Sequence, residues 1–407
     1  MGPGGVDGAA YDVVVVGGGI IGLATAYQLT RRRPGIRLAV LEKERRWASH
    51  QTGHNSGVIH SGVYHRPGSQ KARYAVEGAR QMVEFCRAHG LPVEVTGKVI
   101  VATNAAELPQ LDGLHDRGIA NGVRVARLDR AGLAEREPHA AGVAALLVAD
   151  TGICDFAAVA RRFGRLAAEA GADLRLSTRV RRLRADGGGV TVHTGRGELR
   201  AGVVVCCAGL HSDRLAAHDG GPAPARVVPF RGEYYELAPG RQDLVRGLIY
   251  PVPNPDFPFL GVHLTRMIDG SVHIGPNAVL ALRREGYGWL SVDPRDLAGT
   301  LAYPGFLRLA RANWREGIVE MRRSLSRRRF ADAARQLVPE LSDADLRRAG
   351  AGVRAQAVRP DGALVDDFLI VERPRTLHVL NAPSPAATAS LPIGATLASM
   401  VVSRLDA

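Results

Sequence analysis

Residues 11–44, YDVVVVGGGIIGLATAYQLTRRRPGIRLAVLEKE, leave a chain few folds to choose from. Residues 12–16 carry a run of four valines, the look of a strand buried on both faces of a parallel sheet. Gly17-Gly18-Gly19-Ile20-Ile21-Gly22 follows as G-x-G-x-x-G, then helix-favouring residues from Ile20 to about Arg32, stopped by Pro34-Gly35. Residues 37–41 form a second strand with Glu42 at its end. Gly17 permits the tight turn, Gly19 lets the backbone reach a pyrophosphate, and Gly22 lets helix and strand pack closely. The phosphates sit on free N–H groups at the positive helix end, where Ile20 and Ile21 stand. Glu42, about 20 residues beyond the last glycine, takes the ribose hydroxyls and repels a 2′-phosphate, with Lys43 beside it. The glycines alone would say little. Strand, helix, strand and acid together define a dinucleotide site.

No second G-x-G-x-x-G follows a strand, and the glycines within 185–194 read as a hairpin turn. One dinucleotide site, placed early in the chain, suits an enzyme that carries its own electron carrier, so FAD is the expected cofactor. Cysteines 86, 154, 206 and 207 form no C-x-x-C, which removes the flavin disulfide reductases and any zinc spacing; no metal is expected. They read as reduced thiols of a cytoplasmic chain. Residues 1–10 lack a basic or apolar segment and read as a loose tail rather than a signal peptide. No apolar run approaches the ~20 residues of a bilayer span.

A net charge of +13 invites a nucleic-acid partner. However, only three of the 53 basic residues are lysine, and the arginines are scattered apart from runs such as 31–33 and 327–329. No nucleic acid is expected. A small anionic substrate is a better use of the surplus, which also leaves room for peripheral contact with a membrane. The oligomeric state is not legible.

Residues 50–64, HQTGHNSGVIHSGVY, form a polar strip whose second half is apolar enough to pack. Buried polar groups need partners, and a cofactor supplies them. Gly53, Ser56 and Gly57 let the backbone pass close to a cofactor, while Thr52, His54, Asn55 and Ser56 offer groups for phosphate or ring oxygens. This strip, with LEKE before it and PGSQKARYAVEG after it, resembles the L-2-hydroxyglutarate oxidase/dehydrogenase family of D-amino-acid-oxidase-like flavoproteins. So do RGEYYEL at 231–237, residues 248–287 (LIYPVPNPDFPFLGVHLTRMIDGSVHIGPNAVLALRREGY), GVRAQAVRPDGALVDDFLI and LNAPSPAATASLPIGA. The likeness covers nearly the whole chain and is loosest over 288–346.

The resemblance implies an α/β fold: a Rossmann-like FAD-binding domain carrying an inserted mixed or antiparallel β-sheet and helices as the substrate domain. The expected division is 9–92, 150–225 and 349–407 for FAD, with 93–149 and 226–348 for substrate. It implies Val180 near the adenine, Ala208 and Gly209 against the dinucleotide, and a helix N-terminus near Ser384, Pro385, Ala386, Ala387 and Thr388 aimed at the flavin C2 carbonyl. The implied reaction takes a hydride from L-2-hydroxyglutarate to flavin N5 and yields 2-oxoglutarate, with oxygen or a quinone-linked carrier reoxidising the flavin. Residues 172–185 read as one strand, 226–287 as an antiparallel roof and 295–348 as helices.

Oxidising a hydroxy acid needs a base near neutrality and cations for carboxylates. His60 and His263 are the expected base or substrate contacts, and Arg354 the expected carboxylate fork. Arg231, Arg266, Tyr64, Tyr235 and Tyr250 are further candidates. His54 is a cofactor-side residue, His50 a site for a covalent flavin link, and His65 solvent-facing. Three rivals remain: an amino-acid or sugar-alcohol oxidase on the same fold, a monooxygenase, and a flavin-bearing RNA-modifying protein. The monooxygenases carry a G-D pair that NAPSPAATAS lacks.

Overall fold

A computed structural model describes residues 10–253 and 261–406. Most of the expected N-terminal tail and residues 254–260 of the expected roof lie outside the described residues. The valine run forms the strand Ala10–Val16, paired in parallel with Leu38–Leu41 on one side and Gly197–Cys206 on the other. Asp173–Arg175 extends this sheet in parallel beyond Leu38–Leu41, and Thr376–Asn381 pairs in parallel with the far half of Gly197–Cys206. An antiparallel hairpin, Val180–Asp186 with Gly189–Thr194, pairs with the first half of Gly197–Cys206, and Leu369–Glu372 lies antiparallel outside Thr376–Asn381 on the same side, so that Asp173–Arg175 is the opposite edge. Helices Ile20–Arg32, Phe156–Glu169 and Ser390–Leu405 pack over the sheet around Leu23, Leu29, Phe163 and Leu397.

A second sheet is built from Lys98–Ala102, Val125–Leu128, Ala144–Val148 and the strands between Arg226 and Val358. Its longest pairing joins Arg226–Leu237 to Leu346–Val358, antiparallel. It is mixed rather than wholly antiparallel, because Leu248–Pro251 runs parallel to Lys98–Ala102. Its outer face is covered by Arg327–Arg335, which buries Phe330 against Tyr235. The chain therefore leaves the first sheet twice, returning each time to the same layer.

Two expected elements differ. Residues 172–185 are two strands, because Ser177 turns at φ 53° and the turn is pinned by Ser177 and Thr178 N–H groups on the Glu44 and Glu42 carbonyls. The last helix starts at Ser390, not near Ser384, because Pro383 and Pro385 hold the preceding loop out of helical geometry.

Helices Ile20–Arg32 and Ser390–Leu405 cross so closely that a Cβ on Gly394 would lie 2.8 Å from the Ala24 carbonyl carbon. That neighbour is backbone and cannot swing aside. Gly394→Ala is expected to cost about 1–3 kcal/mol, read as a lowered Tm with no change in the wavelength of any flavin absorption.

Candidate active site

The first turn of helix Ile20–Arg32 sits where the Ala10–Val16 and Gly197–Cys206 strands end. Gly17 is at φ 109°, and a Cβ there would lie 2.3 Å from the Cys207 carbonyl oxygen. A Cβ on Gly22 would lie 2.0 Å from the Gly17 carbonyl oxygen, so only glycine lets the turn fold back on the helix. Thr52, from the polar strip, caps this helix: its Oγ1 accepts from the Ile20 N–H at 3.0 Å. The Glu42 carboxylate accepts from the Gly18 N–H at 2.6 Å and the Glu44 N–H at 2.8 Å, which fixes it at the cavity edge.

A continuous cavity of about 1250 Å³ runs from Val180 past Gly17, Gly19, Ile20, Ile21, Glu42 and Lys43, under Ala208 and Gly209, to His60, His263 and Arg354. Thr52, His54, Asn55, Ser56 and the loop from Ser384 to Thr388 also line it. Ligand pockets usually span ~300–1,000 Å³, so this one is large enough for an extended dinucleotide with a second small molecule beside it. Gly22, Gly53 and Gly57 do not face it. Gly53 and Gly57, expected against the cofactor, shape the strip instead. A Cβ on Gly53 would meet the Ala48 carbonyl at 2.5 Å, and Gly57 is at φ 65° beside Cys154. The Asn55 amide is also used within the strip, between the Gln51 and Thr52 carbonyls and the Gly57 N–H.

The strip is held from both sides. Gln51 Oε1 accepts from the Ala355 N–H at 3.0 Å, His54 stacks on Tyr287, and the His60 N–H donates to Thr388 Oγ1 at 3.1 Å. It thereby ties the strand bearing Arg354 to the loop before the last helix. His50 engages both ring nitrogens, Nδ1 with Tyr287 Oη at 3.0 Å and Nε2 with Glu44 at 3.0 Å. Glu44, His50 and Glu285 cluster closely enough to hold a cation. That place is taken by the Lys43 ammonium, which pairs with Glu44 and, at 2.6 Å, with Glu285.

The far end of the cavity is cationic. Burial drives His60 well below the usual imidazole range, helped by Lys98, His65, His263 and Arg354. Burial lowers His263 to about 3; its Nδ1 donates to the Gly261 carbonyl at 2.8 Å and its ring stacks on Tyr250. Among the described residues, the three acids lining the cavity are engaged: Glu42 by amides, Glu285 by Lys43 and Asp366 by Lys71.

Four expectations are corrected. His65 is half-buried on the cavity wall rather than solvent-facing, and burial lowers it to about 4. Tyr235 lies in the core on Phe330. Arg231 is buried away from the cavity, under the Trp289 ring at 4.3 Å and beside Glu233. Arg266 is exposed at a strand end. The residue that sequence reasoning missed is Lys98. It is 1% exposed, lines the cavity and stands over the Tyr64 and Tyr250 rings at 4.3 and 4.8 Å. Burial lowers it to about 7, and no described carboxylate pairs with it. Its only sequence signal was a lone lysine heading the apolar run KVIVA.

FAD fits these residues. The glycine turn leaves room that any Cβ would fill, the helix N-terminus opens on the cavity, and a buried carboxylate stands at ribose distance in sequence and on the cavity wall. The two-sheet fold and this site define a flavin-dependent oxidoreductase. The family model described as DAO, FAD dependent oxidoreductase, matches residues 12–400, and the chain belongs to that family. It is 46% identical to an L-2-hydroxyglutarate dehydrogenase of Indibacter alkaliphilus, over 97% of this chain and 99% of the relative. It is 45% identical to the Escherichia coli K12 L-2-hydroxyglutarate dehydrogenase, over 96% and 93%. The human mitochondrial enzyme of that name is 41% identical, over 98% and 90%. Among solved structures, the FAD-bound L-α-glycerophosphate oxidase of Mycoplasma pneumoniae superposes with a TM-score of 0.79, covering 97% of this chain and 95% of that one at 22% identity. Among the described residues no helix is long and apolar enough to cross a membrane.

Two outcomes follow from the geometry. Glu42→Ala removes charge-assisted hydrogen bonds and is expected to weaken FAD retention roughly 10- to 100-fold, measured as the flavin-to-protein absorbance ratio after dialysis. His65 and His263 stay neutral in the fold, whereas unfolded imidazoles protonate near about 6.5. The unfolded chain then holds more protons below that value, so stability falls as pH drops from about 6.5 toward 4. The Tm should decline across this window, and His263→Gln should flatten the decline.

Proposed function

We propose that this chain oxidises L-2-hydroxyglutarate to 2-oxoglutarate with FAD. The observation that carries the reading is the pair of cationic side chains, Lys98 and Arg354, that line the same end of the cavity as His60 and His263. A five-carbon diacid uses both; a monoacid uses one. The names of relatives at 41–46% identity point to the same substrate.

FAD, held by Gly17, Gly19, Ile20, Glu42 and the strip from Thr52 to Ser56, would supply the hydride acceptor, with oxygen or a quinone-linked carrier taking up the two electrons afterwards. Arg354 takes the carboxylate next to the carbinol, since a guanidinium offers two parallel donors. Lys98 takes the distal carboxylate. His60, held neutral by burial, accepts the hydroxyl proton. His263 keeps its Nδ1 hydrogen on the Gly261 carbonyl, which leaves Nε2 as an acceptor that orients the hydroxyl. Tyr64, raised by burial, stays protonated and donates. Because both His50 nitrogens are engaged, the FAD is non-covalent in this reading. A cytoplasmic location and the division of the chain at 92, 149, 225 and 348 belong to the same proposal, with four free cysteines and the alternation of sheets in their favour.

Steady-state turnover with a dye acceptor tests this. L-2-hydroxyglutarate should exceed D-2-hydroxyglutarate, L-lactate and L-glutamate in kcat/KM; preference for an amino acid or a monoacid would overturn it. Lys98→Met should raise KM for the diacid roughly 10- to 100-fold with little change in kcat, and leave L-lactate unaffected. With Lys98 at about 7 in the free enzyme, kcat/KM for the diacid should fall as pH rises through that value. Lys98→Met should abolish that alkaline limb.

A further inference from the structure

The helix Leu108–Ala120 turns one face to the cavity: Gln110, Gly113, Leu114 and Arg117, at i, i+3, i+4 and i+7, all line it. Gln110, Gly113 and Arg117 are also exposed, so the cavity meets solvent along this face. The helix is fixed to the turn of the polar strip. Arg117 Nη1 donates to the Tyr64 carbonyl at 3.1 Å, and the Asn121 amide to the Gly62 and His65 carbonyls at 3.1 and 2.9 Å. Lys71, in the first turn of helix Gln70–Ala88, and Asp366 line the same part of the cavity, and both act with Arg117 and Lys98 on the charge of His65. The Lys71 ammonium donates to the Asp366 carboxylate at 2.8 Å and to its carbonyl at 3.0 Å, which bridges the two segments. Exposed residues also line the cavity near Val180, at Arg179, Arg181, Arg214 and His218. A dinucleotide seated on Gly17, Gly19 and Glu42 runs toward that end, which leaves the helix face to the substrate.

The charges along this side are ordered for an anion. From the surface inward come Arg117 and Lys71, then His65, then Lys98, and beyond it Arg354 with His60 and His263. Asp366 is the one acid among the described lining residues here. The acids of the helix itself, Asp112 and Asp116, pair with Arg127 and His115 and do not line the cavity. A cleft walled by one sign of charge concentrates ions of the other sign. The Asp366 side chain is 93% exposed and that of Lys71 13%. A pair with so solvated an acid holds weakly, and Lys71 keeps its bond to the Asp366 carbonyl when the carboxylate swings away. A second carboxylate can therefore take the place of Asp366 on Lys71 while the two segments stay joined.

We propose that the substrate enters between Gly113 and Arg117 on this helix and the Lys71–Asp366 pair, its leading carboxylate displacing Asp366 from Lys71 before it reaches Lys98. This rests on the function proposed above only in that the substrate is an anion. The acid assayed is whichever one bleaches the wild-type flavin, so failure of the L-2-hydroxyglutarate assignment leaves the test intact. A Cβ on Gly113 would have nothing within 4 Å, so Gly113→Trp adds bulk at the opening without displacing packed atoms. In FAD-loaded enzyme it should lower kcat/KM roughly tenfold or more, with flavin content, flavin spectrum and Tm unchanged. Gly299→Trp, at an equally open and exposed helix position that does not line the cavity, should keep wild-type kcat/KM. Asp366→Asn frees Lys71 and should lower KM roughly two- to fivefold at low salt, with the change in KM rather than kcat. Lys71→Gln should raise KM, and added to Asp366→Asn it should cancel the gain. FAD-loaded Gly113→Trp enzyme with wild-type kcat/KM overturns the proposal. So does Asp366→Asn enzyme whose KM at low salt is unchanged or raised.

Discussion

The turn between the first strand and the first helix is the constraint on which the rest of the structure depends. Gly17 passes within contact of Cys207, and Gly22 lies against the Gly17 carbonyl, so a side chain at either position would push the helix off the sheet. Because they are glycines, the helix N-terminus lands at the edge of the parallel sheet, where its free N–H groups suit a pyrophosphate. Glu42, at the end of the next strand, is then positioned by amides of the turn itself. The polar strip is drawn in by the same helix end, through Thr52 on the Ile20 N–H. Cofactor geometry thus follows from backbone approach.

From that anchor the strip carries the site across to the second sheet. Its two ends meet different layers: Gln51 the strand Leu346–Val358, and His60 the loop before the last helix. The cofactor cavity therefore ends against the roof strands, where Arg354 and His263 face it. The chemistry there is set by burial without compensation. Lys98 has two tyrosine rings and, among the described residues, no carboxylate, and the histidines nearby are driven neutral. Such a wall holds proton acceptors and anion receptors together, which the oxidation of a hydroxy diacid requires.

Local chemistry made the nucleotide half legible. The glycine turn, the flanking strands, Glu42 and the polar strip are contiguous words whose physical jobs depend on near neighbours. The substrate half was legible only by residue type. Arg231 and Arg354 both lie on the long strand pair, but Arg354 is opposite Phe230 and Arg231 opposite Val353, so alternation sends them to different faces. Tyr235 fails for the same reason, while its neighbour Tyr234 lines the cavity. The period can be read from one chain; which face meets the cavity is decided by the other domain. Lys98 and His65 are buried by elements distant in sequence, and a lone lysine at a strand start carries no mark of that.

Anaerobic mixing with 2-hydroxyglutarate tests the central claim most directly. The L-form should bleach the flavin absorption, with one 2-oxoglutarate released per FAD reduced, while the mirror image leaves the spectrum unchanged. Protein that retains FAD and keeps its colour with the L-form, or that bleaches with L-glutamate instead, would contradict the account.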